Sequence, residues 1–542
     1  MTAAAPLLVA TWAAPLALLV ACLSPSVRAR MPAWLWVAPL PGLAAALFAH
    51  SAPAWVIDAS RLRLTLGLDP AGAALLGVCA LLWSAAGAYA GTSLRGDANA
   101  GRFAEWWLLT LAGSLGVFVA QDLASFYVAF AMLSLAAWGL VVHDETARAR
   151  RAGALYLGLA VLGEIFLLLG FAVLAAESPG DSLAIRDVVA ALPTLPGRGF
   201  ALAFLLAGFG LKAGLLPLHV WLPIAHPAAP TPASAVLSGA IVKAGVIGLI
   251  RFLPPDPALA GWGAGLAALG LATAYYAAAV GLAQANPKTV LAYSSVSQLG
   301  GIAALLGMGV YAGDGAAVGA ATLAALNHVL VKGALFLGVG VVAATGRRRP
   351  LALLAPITVL ALALGGLPLT GGALAKLAAK PVLGPGLVGA LGALSAAATT
   401  LLMLHFVARL ARSAAQDPTA RAPQGLVAPW LALSVAAVAL PSALAPAVAA
   451  VSESEAFAPG ALWAAAWPIL AGAALAFGLR RVALPSVPEG DIVVLGRGAA
   501  RSARSLGDAL ERVDEGLREW PAAGAALLGL VILIGAAVLA GS

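Results

Sequence analysis

Four lysines stand inside long apolar segments of this chain: Lys212, Lys243, Lys332 and Lys376. A charged side chain near the centre of a bilayer costs at least about 2.5–3.5 kcal/mol on insertion scales, so a cost repeated four times needs a reason. Burial weakens a lysine's hold on its proton, and a nearby carboxylate strengthens it again. Buried lysines can therefore take up and release protons as neighbouring charges change. The alternative is that these side chains snorkel from helix ends to the membrane surface.

The elements that carry these lysines are predicted to be membrane helices. Hydrophobic residues make up 62% of the 542 residues and charged residues only 10%. Because roughly 20 apolar residues cross about 30 Å of hydrocarbon, we expect about sixteen transmembrane helices between Ala5 and Ala540. At 1.5 Å per residue, Lys243 and Lys212 would lie about 16 and 18 Å along their helices, too deep to snorkel easily. The sequence thus predicts an all-α membrane bundle.

The basic residues predict the topology of this bundle. The chain has 31 of them, and most fall in one of the two alternating sets of loops. Positively charged loops stay on the cytoplasmic side, so this set is expected to face the cytoplasm and both termini to face outward. The predicted location is the cell inner membrane, with many passes.

Two hydrophobic segments are interrupted beside a lysine, in "GLLPLH" (214–219) and "GGLPLTGG" (365–372). Their prolines, Pro217 and Pro368, leave backbone carbonyls unpaired, which a membrane tolerates only where the backbone is buried in protein or lines a hydrated cavity. Two interruptions at matching places indicate inverted repeats, as in transporters. The predicted organisation is helices 1–3 (1–104), a first five-helix repeat of helices 4–8 with helix 7 broken (105–252), a second repeat of helices 9–13 with helix 12 broken (253–412), and helices 14–16 (413–542).

The motifs between 208 and 376 resemble those of one known family. They are "KAGLLPLHVWLP", "PTPASA", "VKAG", "LAYSSVSQLG", "NHVLVKGALFLG" and "GLPLTGGALAK". They resemble the antiporter-like subunits shared by respiratory complex I, Mrp cation/proton antiporters and membrane-bound hydrogenase or formate hydrogenlyase complexes. The stretch "HVWLPIAHPAAP" with "SGAIVKAG" looks most like the hydrogenase-associated branch. The resemblance extends over roughly 60–412.

This resemblance implies a proton path along the membrane midplane, with one half-channel from each repeat. Lys212 matches the helix 7 lysine that stores a proton and pairs with a glutamate, and Lys243 matches the helix 8 lysine that passes protons onward. His328 and Lys332 match the helix 11 pair. Lys376 matches the helix 12 residue that delivers the proton to the outer half-channel.

One expected residue is missing, because the glutamate of helix 5 is replaced by Ala131 or its apolar neighbours. Glu164 on helix 6 is predicted at the same depth, so our hypothesis is that it is a relocated counter-ion for Lys212. The alternative is a structural carboxylate. Two further candidates are His219, which could feed protons from the cytoplasmic side, and His405, which could continue the path beyond Lys376; either could instead be a buried structural histidine.

Two polar residues near helix ends have ordinary structural explanations. Asp122 is expected to cap a helix, and Arg251 to anchor helix 8 at the membrane interface. Between helices 15 and 16, residues 496–520 read as an amphipathic cytoplasmic helix that clamps a neighbouring subunit or the membrane surface. Its arginines could also bind anionic lipid.

Three functions remain open from the sequence. The first is a proton-translocating subunit of a multi-subunit redox-driven complex, hydrogenase-like or NADH:quinone oxidoreductase-like. The second is an Mrp-type subunit that exchanges sodium or potassium for protons, and the third is a scaffold or energy-coupling partner for a soluble enzyme. The only cysteines are Cys22 and Cys79, so we expect no redox centre, cofactor or metal in this chain. The expected partners are other membrane subunits, lipid and protons, and not nucleic acid.

Overall fold

The computed structural model describes residues 4–59, 62–178, 180, 182–346, 350–482 and 487–490. Contacts divide the chain into a unit of Met1–Glu489 and a unit of Gly490–Ser542, of which only Gly490 is described. The predicted amphipathic helix at 496–520 and the predicted last transmembrane helix therefore lie outside the described residues.

Helices account for most of the described chain. The α-helices are α1 (Ala4–Ala21), α2 (Pro25–Arg30), α3 (Leu40–Phe48), α4 (Pro70–Ser93), α5 (Ala100–Val119), α6 (Leu123–Val141), α7 (Ala147–Glu177), α8 (Ile185–Ala191), α9 (Arg198–Ala213), α10 (Trp221–Ala228), α11 (Thr231–Val236), α12 (Lys243–Phe252), α13 (Ala260–Leu282), α14 (Pro287–Ala312), α15 (Ala316–Ala343), α16 (Pro350–Gly365), α17 (Gly371–Leu383), α18 (Leu387–Leu410), α19 (Gln424–Ala449), α20 (Glu453–Phe457) and α21 (Pro459–Leu479). Short 3₁₀ segments are Met31–Ala33, Leu192–Thr194, Leu218–Val220, Pro257–Leu259 and Ala411–Ser413, and a π-helical turn, Leu237–Ile241, joins α11 to α12.

The membrane-spanning character is clear, but the predicted count of about sixteen is not confirmed. Within the described residues, 11 helices are long and apolar enough to cross a membrane, or 12 if α1 and α2, bent by 114°, form one span. Of the other predicted spans, α3 is too short and α16 is separated from α17 by the second break. Helix α5 is not among the 11 either, and the charged residues Arg102 and Glu105 lower the hydropathy of its first turns.

A small β-hairpin precedes α4 and was not expected from the all-helical prediction. Strand β1 (Trp55–Ala59) pairs antiparallel with β2 (Leu62–Leu66), with Trp55 opposite Leu66. The second strand, "LRLTL", alternates apolar and polar residues, which is the pattern of a strand with one covered face.

The first broken helix consists of α9 and α10. Gly214, directly after α9, has a φ of 77°, a left-handed conformation that glycine adopts without strain. Gly214 N donates to Leu211 O at 3.1 Å, and Leu215 N donates to Gly210 O at 2.8 Å. These two bonds satisfy carbonyls at the end of α9, as in a Schellman motif. Across the break, Trp221 Nε1 donates to Leu211 O at 2.9 Å.

The second broken helix, α16 and α17, closes in the same way. Gly366 has a φ of 95° and its N donates to Ala363 O at 3.1 Å. Leu367 N donates to Leu362 O, also at 3.1 Å. The backbone devices that end α9 and α16 are therefore the same.

Two residues with predicted structural roles differ in their outcome. Asp122 caps α6 as expected, since its Oδ1 accepts from Ser125 N at 2.8 Å. The interfacial position of Arg251, in the last turn of α12, stays a prediction; its side chain is only 5% exposed and forms an ion pair with Asp69 at 2.6 Å. Its guanidinium also donates to three carbonyls at the end of α5. Such a buried guanidinium is stabilised because each donor has a partner.

Residues near Glu489 join several helix ends. Arg148, in the first turn of α7, forms a 2.5 Å ion pair with Glu489, and Thr289 of α14 donates to the same carboxylate at 2.9 Å. Gln284, just after α13, donates to Val487 O at 3.1 Å. Helix ends expected on the cytoplasmic side thus meet at one end of the bundle.

Candidate functional site

The most closely spaced group of buried ionisable side chains in the described part of the chain lies between α12, α14 and α15. Lys243, His328 and Lys332 are each at most 1% exposed. Lys243 Nζ lies 2.7 Å from His328 Nδ1. Lys332 Nζ donates to Leu291 O at 2.8 Å and to Ser294 Oγ. We call Lys243, His328 and Lys332 the central cluster.

The contact between Lys243 and His328 can hold a proton on either partner. A protonated lysine donates to an imidazole nitrogen that accepts, whereas a neutral amine can accept from an imidazole N–H. In the described part of the chain, the other ring nitrogen of His328, Nε2, has no hydrogen-bond partner. Lys243 also acts electrostatically on Lys332, and two like charges at such a site disfavour each other. The central cluster can therefore exchange protons, but it opposes the presence of two charges.

A second pair, Lys212 and Glu164, forms where α7 packs closely against α9. A Cβ at Gly208 would lie 2.6 Å from two atoms of Leu167, and one at Gly163 would lie 3.5 Å from Leu211. This glycine-lined packing of antiparallel helices places Glu164 at the level of Lys212. Both side chains are buried, and they interact electrostatically.

Glu164 has no direct ionic contact with this lysine. The Ser134 side chain is a polar neighbour, but among the described residues neither carboxylate oxygen forms a hydrogen bond of good geometry. A buried carboxylate with so few partners is costly, so it gains from a nearby cation or proton.

Lys376, on α17, stands apart from both groups. Its stem lies against the second break, since a Cβ at Gly366 would be 2.6 Å from Lys376 Cδ. Among the described residues no charged side chain acts on Lys376. The structure therefore does not join Lys376 to the central cluster by direct contact.

The two further candidate histidines, His219 and His405, have different surroundings. His219 is fully buried, and its ring contacts Tyr276 of α13 at 5.3 Å between centroids. His405 is half-buried near the end of α18, where its Nε2 lies 2.8 Å from Gln284 O and 3.5 Å from Arg409 Nε. It thus lies beside the helix ends near Glu489 and not beside Lys376.

His226 was left out of the predicted site. It is fully buried on α10, its ring lies 4.8 Å from that of Phe336, and it interacts electrostatically with Lys332 and Lys288. Both of its ring nitrogens lack hydrogen-bond partners among the described residues. The signal available from the sequence was a histidine between two prolines, in "PIAHP".

No group of three or more metal-ligating side chains occurs in the part of the chain that the structure describes. Cys22 and Cys79 are both buried and free.

Residues 120–379 match the family model described as NADH:quinone oxidoreductase/Mrp antiporter, transmembrane. Among curated relatives, hydrogenase-4 component B of Escherichia coli is 34% identical over 52% of this chain and 43% of its own length. NADH-quinone oxidoreductase subunit N of Desulforudis audaxviator is 36% identical over 55% of this chain and 58% of its own length. The chain spans about half the length of these relatives.

Two solved structures share the fold. A chain of the Mrp complex from Dietzia has a TM-score of 0.77 and 24% identity, over 98% of this chain and 63% of that chain. A chain of an archaeal respiratory complex, the membrane-bound sulfane sulfur reductase, has a TM-score of 0.70 and 21% identity, over 88% and 99%. This multi-pass membrane protein therefore shares its fold with these two chains, and its residues 120–379 are similar to the family of NADH:quinone oxidoreductase and Mrp antiporter membrane subunits.

Proposed function

We propose that this chain is a proton-translocating, antiporter-like subunit of a multi-subunit, redox-driven membrane complex. The observation that carries the proposal is the central cluster, in which Lys243 Nζ and His328 Nδ1 are 2.7 Å apart and fully buried. Ionisable groups at this depth are expensive and usually mark an ion or proton pathway. Lys332 lies one helical turn beyond His328 on α15, so a proton can pass among three groups with small movements.

Mutual repulsion couples proton uptake to proton release in this relay. A proton that reaches one lysine of the central cluster disfavours a charge on the other, so its arrival promotes release elsewhere. Lys212 and Glu164 form a second site, within the first repeat, and Lys376 on α17 delivers the proton outward. His219, His226 and His405 are secondary members of the relay.

The redox centres of the proposed complex belong to partner subunits. Two relatives are named as a hydrogenase component and an NADH-quinone oxidoreductase subunit, which supports partners of this kind. The location proposed is the inner membrane, with both termini outside. The meeting of Arg148, Thr289 and Glu489 at one end of the bundle supports this orientation, because those helix ends carry the loops expected in the cytoplasm.

The test is proton flux in proteoliposomes that contain the chain with whatever co-purifies in mild detergent. With an imposed membrane potential and a pH-sensitive dye, we expect Lys243→Ala to lower flux at least about tenfold, because the relay loses a proton carrier. Lys380→Ala is the matched control, since Lys380 is exposed on α17, and it should keep wild-type flux. Wild-type flux in Lys243→Ala would contradict the proposal.

The same preparation separates the other functions. Flux that requires sodium or potassium would indicate an Mrp-type antiporter. Co-purification of one soluble enzyme without any flux would indicate a scaffold. Mass spectrometry of the co-purified subunits identifies which partners are present in each case.

A further inference from the structure

Three aromatic rings surround the ammonium group of Lys212. Its Nζ lies over the rings of Phe130, Tyr156 and Trp221, at 5.6, 5.7 and 5.9 Å from their centroids. These distances are within the roughly 6 Å over which a cation is attracted by the face of a ring. The rings come from three helices, α6, α7 and α10, so the fold, and not one local motif, builds this environment.

Polar contacts away from the lysine hold two of the rings in place. The Tyr156 hydroxyl donates to Ser134 O at 2.8 Å, and Trp221 Nε1 donates to Leu211 O at 2.9 Å. Tyr156 and Trp221 also contact each other edge to face, with centroids 5.3 Å apart. Because their polar atoms are already bonded elsewhere, these residues offer Lys212 their ring faces.

The rings lie where this chain departs from the family pattern. Phe130 directly precedes Ala131, the position at which a glutamate is expected. Glu164 acts on Lys212 electrostatically without contacting it. A ring face attracts a charged ammonium but gives a neutral amine no comparable stabilisation. Rings therefore favour the protonated lysine, as a carboxylate would, without adding a charge.

We propose that Phe130, Tyr156 and Trp221 form a cation–π cage that positions Lys212 and stabilises its protonated form in place of the missing helix 5 carboxylate. The proposal rests on the proposed function for its role in proton transfer, but the cage itself is tested separately. These three are positioning residues. Among the described residues, the titratable groups that face Lys212 are Glu164 and Tyr156, both on α7.

The test lowers the negative electrostatic potential of one ring face while nearly keeping the shape of the ring. Mono-, di- and trifluorinated phenylalanine are placed at position 130 of the full chain, purified with its co-purifying subunits. The ¹⁵N signals of the six lysine side chains are then followed against pH, and the Lys212 signal is assigned by its loss in Lys212→Arg. We expect the Lys212 midpoint to move to lower pH with each fluorine, by up to about one pH unit in total.

Phe126 is the matched control position. It lies one turn earlier on α6, is fully buried, and its ring contacts phenylalanines, Phe130 among them at 6.0 Å between centroids, but does not face Lys212. The same fluorinated residues there should leave the Lys212 midpoint unchanged. An unchanged midpoint in the position 130 series would overturn the cage, and so would an equal shift in the position 126 series.

Flux measurements keep the cage and the proposed function apart. Wild-type flux in Lys212→Ala, together with a midpoint that shifts with fluorination, leaves the cage standing and removes Lys212 from the relay. Lost flux in Lys212→Ala, together with a flat fluorine series, leaves the relay standing and overturns the cage.

Discussion

The two broken helices have the same backbone but different electrostatic surroundings. Each first half ends at a glycine with positive φ, Gly214 or Gly366, followed by the same pair of backbone hydrogen bonds. Lys212 lies two positions before Gly214, whereas the buried residue two positions before Gly366 is Leu364. In the second broken helix the lysine, Lys376, lies instead on the half after the break.

This difference shows that the backbone conformation of the break does not determine where the lysine lies. A helix that stops inside a membrane must satisfy its last carbonyls, and glycine provides one efficient way to do so. The charge can then stand on either side of the break. Lys212 has three ring faces and a nearby carboxylate, but no charged side chain among the described residues acts on Lys376. We therefore expect the two breaks to respond alike to backbone changes and differently to charge changes.

The largest expected effect comes from removing glycine at either break. Gly214→Ala and Gly366→Ala each force a left-handed alanine, which costs about 1–2 kcal/mol from the backbone alone. At Gly214 the new methyl group also meets Leu222 Cδ1, and at Gly366 it meets the stem of Lys376. We expect a lower melting temperature in detergent for both variants. For Gly366→Ala we also expect proton flux to fall, because the methyl group displaces the stem of Lys376.

Gly158→Ala provides the control for these two variants. Gly158 lies within α7, and a Cβ there would meet no other atom within 4 Å. Because alanine favours a helix over glycine by about 1 kcal/mol, stability should stay level or rise. If all three alanine variants behave alike, the two breaks are not held by their glycines.

A smaller effect is expected from removing the negative charge near Lys212, which has no counterpart near Lys376 among the described residues. Glu164→Gln keeps the shape of the side chain but removes the negative charge that acts on Lys212, so we expect flux to fall about tenfold, which corresponds to roughly 1.4 kcal/mol. Glu177→Gln on the same helix is the control, since Glu177 accepts from Gly197 N and glutamine can still accept. Undiminished flux in Glu164→Gln would show that Glu164 is only structural.

The smallest effect is expected within the central cluster. Ser294→Ala removes one acceptor of Lys332 but leaves the bond to Leu291 O. A hydrogen bond of this kind contributes about 0.5–1.5 kcal/mol to stability, or somewhat more when one partner is charged. We expect a fall of a few degrees or less in melting temperature, with flux reduced less than in Glu164→Gln. Ser297→Ala is the control, because Ser297 Oγ has no partner among the described residues.

The parts of this fold that were predictable depend on local patterns. Apolar length identified the long helices, and the glycine and proline pairs at 214–217 and 365–368 located both breaks. The burial of Lys243 and Lys212 followed from their depth. Asp122 was recognisable as a cap because its partner is three residues away.

The parts that were not predictable depend on contacts between distant residues. Arg251 stands at a helix end, where interfacial arginines are common. Its carboxylate partner, however, is Asp69, which is 182 positions away in the sequence. The rings around Lys212 come from three helices, and aromatic residues in apolar segments carry no pattern that distinguishes a cage from ordinary packing. The sequence around His226 has a proline on each side, Pro223 and Pro227, which does not indicate that the ring is buried beside Phe336.

The π-helical turn Leu237–Ile241 has a consequence for the direction in which Lys243 points. A π turn contains one more residue than an α turn, so everything after it is rotated by about 100° around the helix axis relative to an uninterrupted α-helix. Lys243 is the second residue after this turn, with Val242 between them. Deleting a single residue between 237 and 241 would restore the α-helix and swing Lys243 away from His328, so the phase of one helix determines whether these two nitrogens meet.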